Sequence, residues 1–246
     1  VKPVPLLGMI RAIMTTDKIE APAAEPAPCP RCGKEPKFCV CEGITPIANK
    51  IELVILQHPQ EKEEALGTAR LTALHLAKST FKIGLSWPSL TKLLGREVDP
   101  SKWAVLYLGS TDMASLPPGR EVVAVDAKNT PLDDQEAALR GLHGVILLDG
   151  TWSQAKTLWW RNSWVLKSRR LVLNPSKPSA YGKMRKEPRR EALSTLEAAG
   201  LLLSRLERKP EIETAMAATF EKLLAVVKAN QPKRDWRRTK RGPAKR

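Results

Sequence analysis

The sequence has no apolar run approaching the roughly 18 residues that a membrane-spanning helix requires, and it shows no internal repeat. There is no Walker-type lysine loop, no GxGxxG after a strand-like run, and no nucleophile elbow. Those absences set aside P-loop nucleotide hydrolysis, ordinary dinucleotide binding and serine-hydrolase chemistry. Histidine is scarce, and His58, His75 and His143 lie too far apart to form an obvious metal set or triad. His75 falls inside a helical pattern and reads as a packed or surface residue. The stretch 4–14 is interrupted by Arg11 and carries no clear cleavage site, so no secretory signal is expected. Acid is in short supply: 26 Asp and Glu face 41 Lys and Arg, for a net charge of +15 in 246 residues. With 42% hydrophobic and 27% charged residues, the composition is globular, and collagen-like or fully disordered readings fail.

The excess charge is concentrated. Residues 231–246 hold eight basic residues and one acid, and residues 167–190 hold nine and one, so these segments carry the whole +15. The first contains Pro and Gly, has almost no apolar residue and reads as a disordered basic tail. The second lies between folded elements and must cover part of the folded surface. Two separate basic runs in an otherwise neutral chain point to a polyanionic partner, here nucleic acid.

Four cysteines fall close together as Cys29-Pro-Arg-Cys32 and Cys39-Val-Cys41. Two close pairs fit the knuckles of a tetrahedral four-thiolate site, with Gly33 suited to the tight turn. Structural zinc is the favoured reading over disulfides or another metal, and four thiolates leave no open position for catalysis. Before them, residues 1–28 read as a loose leader rich in Ala, Pro and Glu.

From there, strand-like runs at 51–56, 81–85, 104–108, 121–125, 144–148 and 170–173 alternate with helical patterns at 68–79, 132–142, 151–164, 195–207 and 212–229. Val-, Ile- and Leu-rich runs without polar alternation predict strands buried on both faces. The fold class is therefore α/β, a mainly parallel sheet with helices on both faces. Ligands in such sheets sit beyond the carboxyl ends of the strands. That directs attention to Gln57-His58-Pro59, Gly109-Ser110 and Asp149-Gly150-Thr151-Trp152. Thr151 with Gln154 and Ser194 with Glu197 each form a capping box, so both segments are helix starts with free N–H donors. Asp149 is then either part of a ligand crevice or only the residue before a helix. Four of the seven tryptophans (Trp152, Trp159, Trp160, Trp164) cluster in one helical pattern. Trp152 and Trp159 share a face and are expected to pack as core, with cofactor contact the other option for Trp152.

Asp149-Gly-Thr-Trp152 fits the D-x-T-W signature of the DTW-domain family, and the chain resembles that family over about residues 29–228. The Cys-x2-Cys…Cys-x-Cys head, Gln57-His-Pro-Gln-Glu61, Leu66-Gly-Thr-Ala-Arg70, Tyr181-Gly-Lys-Met-Arg185 and Leu193-Ser-Thr-Leu-Glu197 match in order. Some relatives read N-T-G-R at the helix start, where this chain has Gly67-Thr68-Ala69-Arg70. The resemblance implies a distant relative of the knotted SPOUT methyltransferases, with a trefoil knot around S-adenosylmethionine. It also implies transfer of the 3-amino-3-carboxypropyl group from S-adenosylmethionine to N3 of a tRNA uridine, with release of methylthioadenosine. On that reading residues 29–45 are a zinc-binding segment, 46–230 the catalytic domain and 231–246 the basic tail of a cytoplasmic enzyme. Leu108, Gly109, Ser110, Leu148, Asp149, Thr151, Trp152, Ser194, Thr195 and Glu197 would hold S-adenosylmethionine. His58, Arg70, Lys183, Arg185, Lys186, Arg189 and Arg190 would meet tRNA, and Cys29, Cys32, Cys39 and Cys41 would hold zinc. Asp149 is the favoured catalytic base, with Glu197 and Glu61 in reserve. The competing readings are an S-adenosylmethionine-dependent RNA methyltransferase and a non-catalytic zinc-ribbon RNA-binding protein.

Overall fold

Apolar β-branched and leucine runs need neighbours on both faces, and the chain supplies them. The computed structural model describes residues 26–62, 64–106, 111–182, 184 and 193–230. Six strands, β1 (Glu52–Gln57), β2 (Ser79–Ile83), β3 (Trp103–Leu106), β4 (Val122–Val125), β5 (Gly144–Asp149) and β6 (Arg169–Leu173), form one sheet in the order β2-β1-β5-β3-β6-β4. All pairings are parallel except that of β4 with β6, which puts one antiparallel strand at an edge. Each of the expected strands is present. The helices are α1 (Ala69–Leu74), α2 (Leu90–Leu94), α3 (Gln135–Leu139), α4 (Trp152–Arg161), α5 (Thr195–Glu207) and α6 (Pro210–Asn230).

Alternate residues of the strands serve two cores. Leu53, Ile55, Val145, Leu147 and Leu171 pack toward α1, α5 and α6, while Val54, Leu56, Val105 and Ile146 pack toward Leu90, Leu93, Trp164 and Val165. Burial on both faces explains why the strands lack polar alternation. Helix α5 is apolar almost all round because it is sandwiched between the sheet and α6. A Cβ on Gly200 would lie 3.2 Å from the Glu213 Cα, so glycine there permits the close approach of α5 and α6. Cys32, Cys41 and Ile44 belong to the same core as α5 and α6, so the cysteine segment is packed onto the domain.

Two expectations need correction, and one helix is added. The helical pattern at 68–79 yields only α1, because Ser79 already pairs with Leu53 in the sheet and its hydroxyl bonds to the Ala73 carbonyl (2.9 Å). The short α2, capped by Ser89 and closed by Gly95 in the left-handed region, was not apparent in the pattern. Trp152 does not join the core: it is 43% exposed, whereas Trp159 packs partly buried against the second core cluster. The basic tail, the leader to residue 25, Leu108 to Ser110, Lys183 and the basic residues from Arg185 to Arg190 lie outside the described residues. No helix among the described residues is long and apolar enough to cross a membrane.

Candidate active site and cysteine centre

In-register pairing of β1 with β5 places Gln57 directly beside Asp149 at their carboxyl ends. The buried Gln57 donates from Nε2 to Asp149 Oδ2 (2.9 Å), and the Thr195 hydroxyl at the start of α5 donates to Asp149 Oδ1. Among the described residues each carboxylate oxygen therefore has one donor, which leaves it further acceptor capacity. Thr68, at the cap of α1, accepts the Thr195 N–H on its own hydroxyl (3.1 Å), which locks α1 to α5 beneath the carboxylate.

The backbone is fixed just as closely. The His58 N–H donates to the Asp149 carbonyl (2.9 Å), and its ring Nδ1 accepts the Gln60 N–H (3.3 Å), so His58 turns the chain after β1. Gly150 has φ +155°, and a Cβ there would come 2.8 Å from that of Gln154 and 3.4 Å from that of His58. Only glycine lets β5 turn into α4 at this spacing. The Thr151–Gln154 capping box is present, and Gln154 Nε2 reaches the Gln60 side-chain oxygen at 3.2 Å. The capping box of Ser194 and Glu197 is present as well. Beyond it, the Glu197 carboxylate accepts the Ser179 hydroxyl (2.7 Å) and the Ala180 N–H (2.7 Å), so it holds the loop leading to Tyr181. Tyr181 is buried, stacked edge-on to Phe220 at 4.9 Å between centroids, and its hydroxyl donates to the Leu66 carbonyl (3.1 Å). The ends of β1 and β5 and the start of α5 thus meet at Asp149, and the 179–181 loop joins them through Glu197.

Gln57, Thr195 and Thr68 are joined to Asp149 by hydrogen bonds that sequence reasoning did not bring together as a set. Gln57 had been noted only as a strand end, and Thr195 as part of a helix start expected to hold S-adenosylmethionine, not as a partner of Asp149. Their common signal is position: β1 and β5 end together, so the last polar residue of each becomes a neighbour.

The four cysteine sulfurs lie within 4.8 Å of one another. Cys29–Cys41, Cys32–Cys39 and Cys39–Cys41 are 3.6, 3.7 and 3.5 Å apart, and all four are free thiols. A disulfide needs about 2.05 Å. A tetrahedral zinc with bonds of about 2.3 Å needs sulfur–sulfur edges near ~3.8 Å, so the donor set fits zinc. Gly33 makes the knuckle turn at φ +72°, with its N–H on the Cys29 carbonyl (2.7 Å). Arg31 ties the two knuckles by donating to the Cys41 and Ile44 carbonyls (3.1 and 2.9 Å). The Cys32 backbone N–H, aimed at the Cys29 sulfur, lowers that thiol to about 6, while burial pushes the Cys32 and Cys41 thiols up.

Between this segment and the strand ends lies a cavity of about 470 Å³, lined by Cys29, Cys32, Gly33 and Lys34 on one side and Gln57, Glu61, Arg70 and Ile83 on the other. Lys34 is buried, which brings its amine down to about 8, and it donates to the Ala65 carbonyl (2.7 Å). Arg70 lies against Gly33 and over the Phe81 ring, 5.4 Å from its centroid. Gln57 is common to this cavity and to the Asp149 network.

The DTW domain matches residues 27–228 of this sequence. The chain belongs to the DTW-domain family. Curated proteins similar to the chain include the one named tRNA-uridine aminocarboxypropyltransferase 2 of Macaca fascicularis, 30% identical over 204 residues. The Mus musculus protein of that name is 32% identical over 200 residues, and the Drosophila melanogaster one 29% over 201. These alignments cover 82%, 79% and 79% of the chain. The chain spans 64% and 61% of the length of the macaque and mouse relatives, and 72% of the fly one. No solved structure matches the chain.

Proposed function

We propose that this DTW-domain chain is a tRNA-uridine aminocarboxypropyltransferase, using S-adenosylmethionine as donor and N3 of a tRNA uridine as acceptor. The observation that carries the reading is the convergence of the family's signature segments on Asp149, held by Gln57 and Thr195. A bare helix cap would not need donors from two further elements on its carboxylate.

S-adenosylmethionine supplies a sulfonium whose attached aminocarboxypropyl carbon is electrophilic. In the transfer, a bond forms between uridine N3 and that carbon while the carbon–sulfur bond breaks. The bonding pair stays on sulfur and gives neutral methylthioadenosine. N3 must lose its proton, and the open lone pairs of Asp149 offer a base for it. Gln57 and Thr195 keep the carboxylate aimed, and Gly150 lets His58 and α4 close around it. The N-termini of α4 and α5, with Thr151, Trp152, Ser194 and Thr195, would hold the donor's polar groups, together with Leu148 and the segment Leu108-Gly109-Ser110. Glu197 acts in this arrangement by holding the 179–181 loop.

The reading includes a SPOUT-like trefoil knot and a structural zinc on Cys29, Cys32, Cys39 and Cys41. It further includes tRNA contacts by His58, Arg70, Lys183, Arg185, Lys186, Arg189 and Arg190, and a cytoplasmic location, where reduced thiols persist. Residues 29–45 form the zinc-binding segment, 46–230 the catalytic domain and 231–246 the basic tail. The test is nucleoside mass spectrometry of tRNA after incubation with the protein and S-adenosylmethionine. Aminocarboxypropyluridine with methylthioadenosine is expected. A methylated base with S-adenosylhomocysteine would make the chain a methyltransferase, and an unmodified tRNA that still binds would make it a non-catalytic RNA-binding protein.

A further inference from the structure

Helix α4 leaves the Asp149 loop and carries Trp152, Lys156 and Trp160 at i, i+4 and i+8, one stripe along its surface. That stripe faces outward: Trp152 is 43% exposed and Trp160 70%, and Lys156 is exposed between them. The inward face of the same helix is supplied by Ala155 and Leu158, which are buried, so α4 does not need the Trp160 indole for its packing. Trp160 makes no hydrogen bond and no ring or cation contact among the described residues, and neither Lys156 nor Arg161 makes an ion pair there. No acid occurs anywhere in α4.

We propose that this stripe is a stacking platform for single-stranded nucleotides of the RNA, guiding the strand toward the Asp149 crevice. Indole faces stack on any base, and a cation beside them meets the phosphates between bases. Eight residues of helix separate the indoles by about 12 Å, which a short unstacked stretch of strand spans. A stable protein interface buries about 1,600 Å² around a continuous apolar centre. Here a lysine interrupts the two rings, and the helix and the whole chain are basic, which fits a polyanion and disfavours a second copy of this chain. The choice of RNA as occupant rests on the proposed tRNA-modifying function, while the exposure and charge of the stripe do not.

The experiment titrates the full-length protein with a short oligouridylate and with unmodified tRNA, following tryptophan fluorescence. Trp160→Ala should weaken oligouridylate binding about tenfold, equal to ~1.4 kcal/mol, and remove part of the quenching. Trp160→Phe should recover most of the affinity, because a smaller ring still stacks. Lys156→Gln should make the salt dependence shallower. Thermal unfolding and S-adenosylmethionine affinity should be unchanged in Trp160→Ala, because the ring is exposed and lies outside the proposed donor site. Equal affinity of wild type and Trp160→Ala for both RNAs would overturn the proposal. So would light scattering that shows a dimer dispersed by Trp160→Ala, which assigns the ring to a copy of the chain. If the wild type modifies no tRNA yet loses oligouridylate affinity on Trp160→Ala, the transferase reading fails and the stacking platform stands.

Discussion

Substituting Asn for Asp149 separates the roles open to that side chain. The amide keeps the shape, its oxygen can still accept from Gln57 while its NH2 donates to a rotated Thr195 hydroxyl, and it preserves the path of β5 into α4. A purely structural carboxylate therefore predicts near-normal turnover. General-base loss predicts a fall in turnover of roughly 10²-fold or more with S-adenosylmethionine affinity largely kept. We expect the second result, measured by single-turnover kinetics beside donor titration. Much at this scale could be read in the residues. Asp149 stood out because it ends an apolar strand and precedes a capping box. Its two holders could not be read that way, since Gln57 and Thr195 are far away in sequence and reach it only through strand register and helix docking. Glu197 shows the opposite case: a carboxylate in a signature segment whose oxygens are taken up by Ser179, Ala180 and Ser194.

Strands were the most legible elements, since residues buried on both faces leave continuous Val, Ile and Leu runs that few other structures produce. Short helices were less so. The 3.6-residue pattern of α1 runs on into 75–79, but pairing of Ser79 with Leu53 overrides it, and α2 is too short to build a pattern. Two elements allow direct tests. In the cysteine segment, buried Cys32 is one of four donors whose spacing suits zinc. Cys32→Ser should lower the metal content from about one zinc per chain and lower the unfolding midpoint, because metal binding to such a site contributes to folding. Metal analysis with thermal unfolding decides it, and full zinc retention in the Cys32→Ser, Cys39→Ser double variant would count against the site. Where α1 meets α6, buried His75 shares a hydrogen bond with Thr219 (2.9 Å), and burial lowers its pKa below the ordinary histidine value. The unfolded chain then binds a proton near pH ~6.5 that the folded chain resists. Stability should be complete above that pH and should decline as pH falls toward the lowered folded value. Urea unfolding at about pH 7.5 and about 5.5 measures the loss, and His75→Gln should flatten it.

At the scale of the whole molecule, the proposed polyanion partner rests on how the charge is distributed. The described core is a sheet with cores on both faces and needs no net charge to fold, while the +15 sits in two segments. Charge confined in this way acts on association more than on stability. Affinity for tRNA should therefore fall steeply with salt, each neutralised phosphate adding a slope of about 0.7 to 0.9 in the log–log plot. Changing Arg237, Arg238, Lys240 and Arg241 together to Gln should make that slope shallower and weaken binding at moderate salt. It should leave the thermal midpoint and the S-adenosylmethionine affinity unchanged, because all four lie outside the matched domain at 27–228. Turnover at saturating tRNA and low salt should also persist, because all four lie outside the domain that carries Asp149. Binding isotherms at several salt concentrations, set against single-turnover rates, make the comparison. An unaltered slope would move the phosphate contacts from the tail to the basic segment at 167–190, whereas loss of turnover at saturation would mean that the tail reaches the crevice itself.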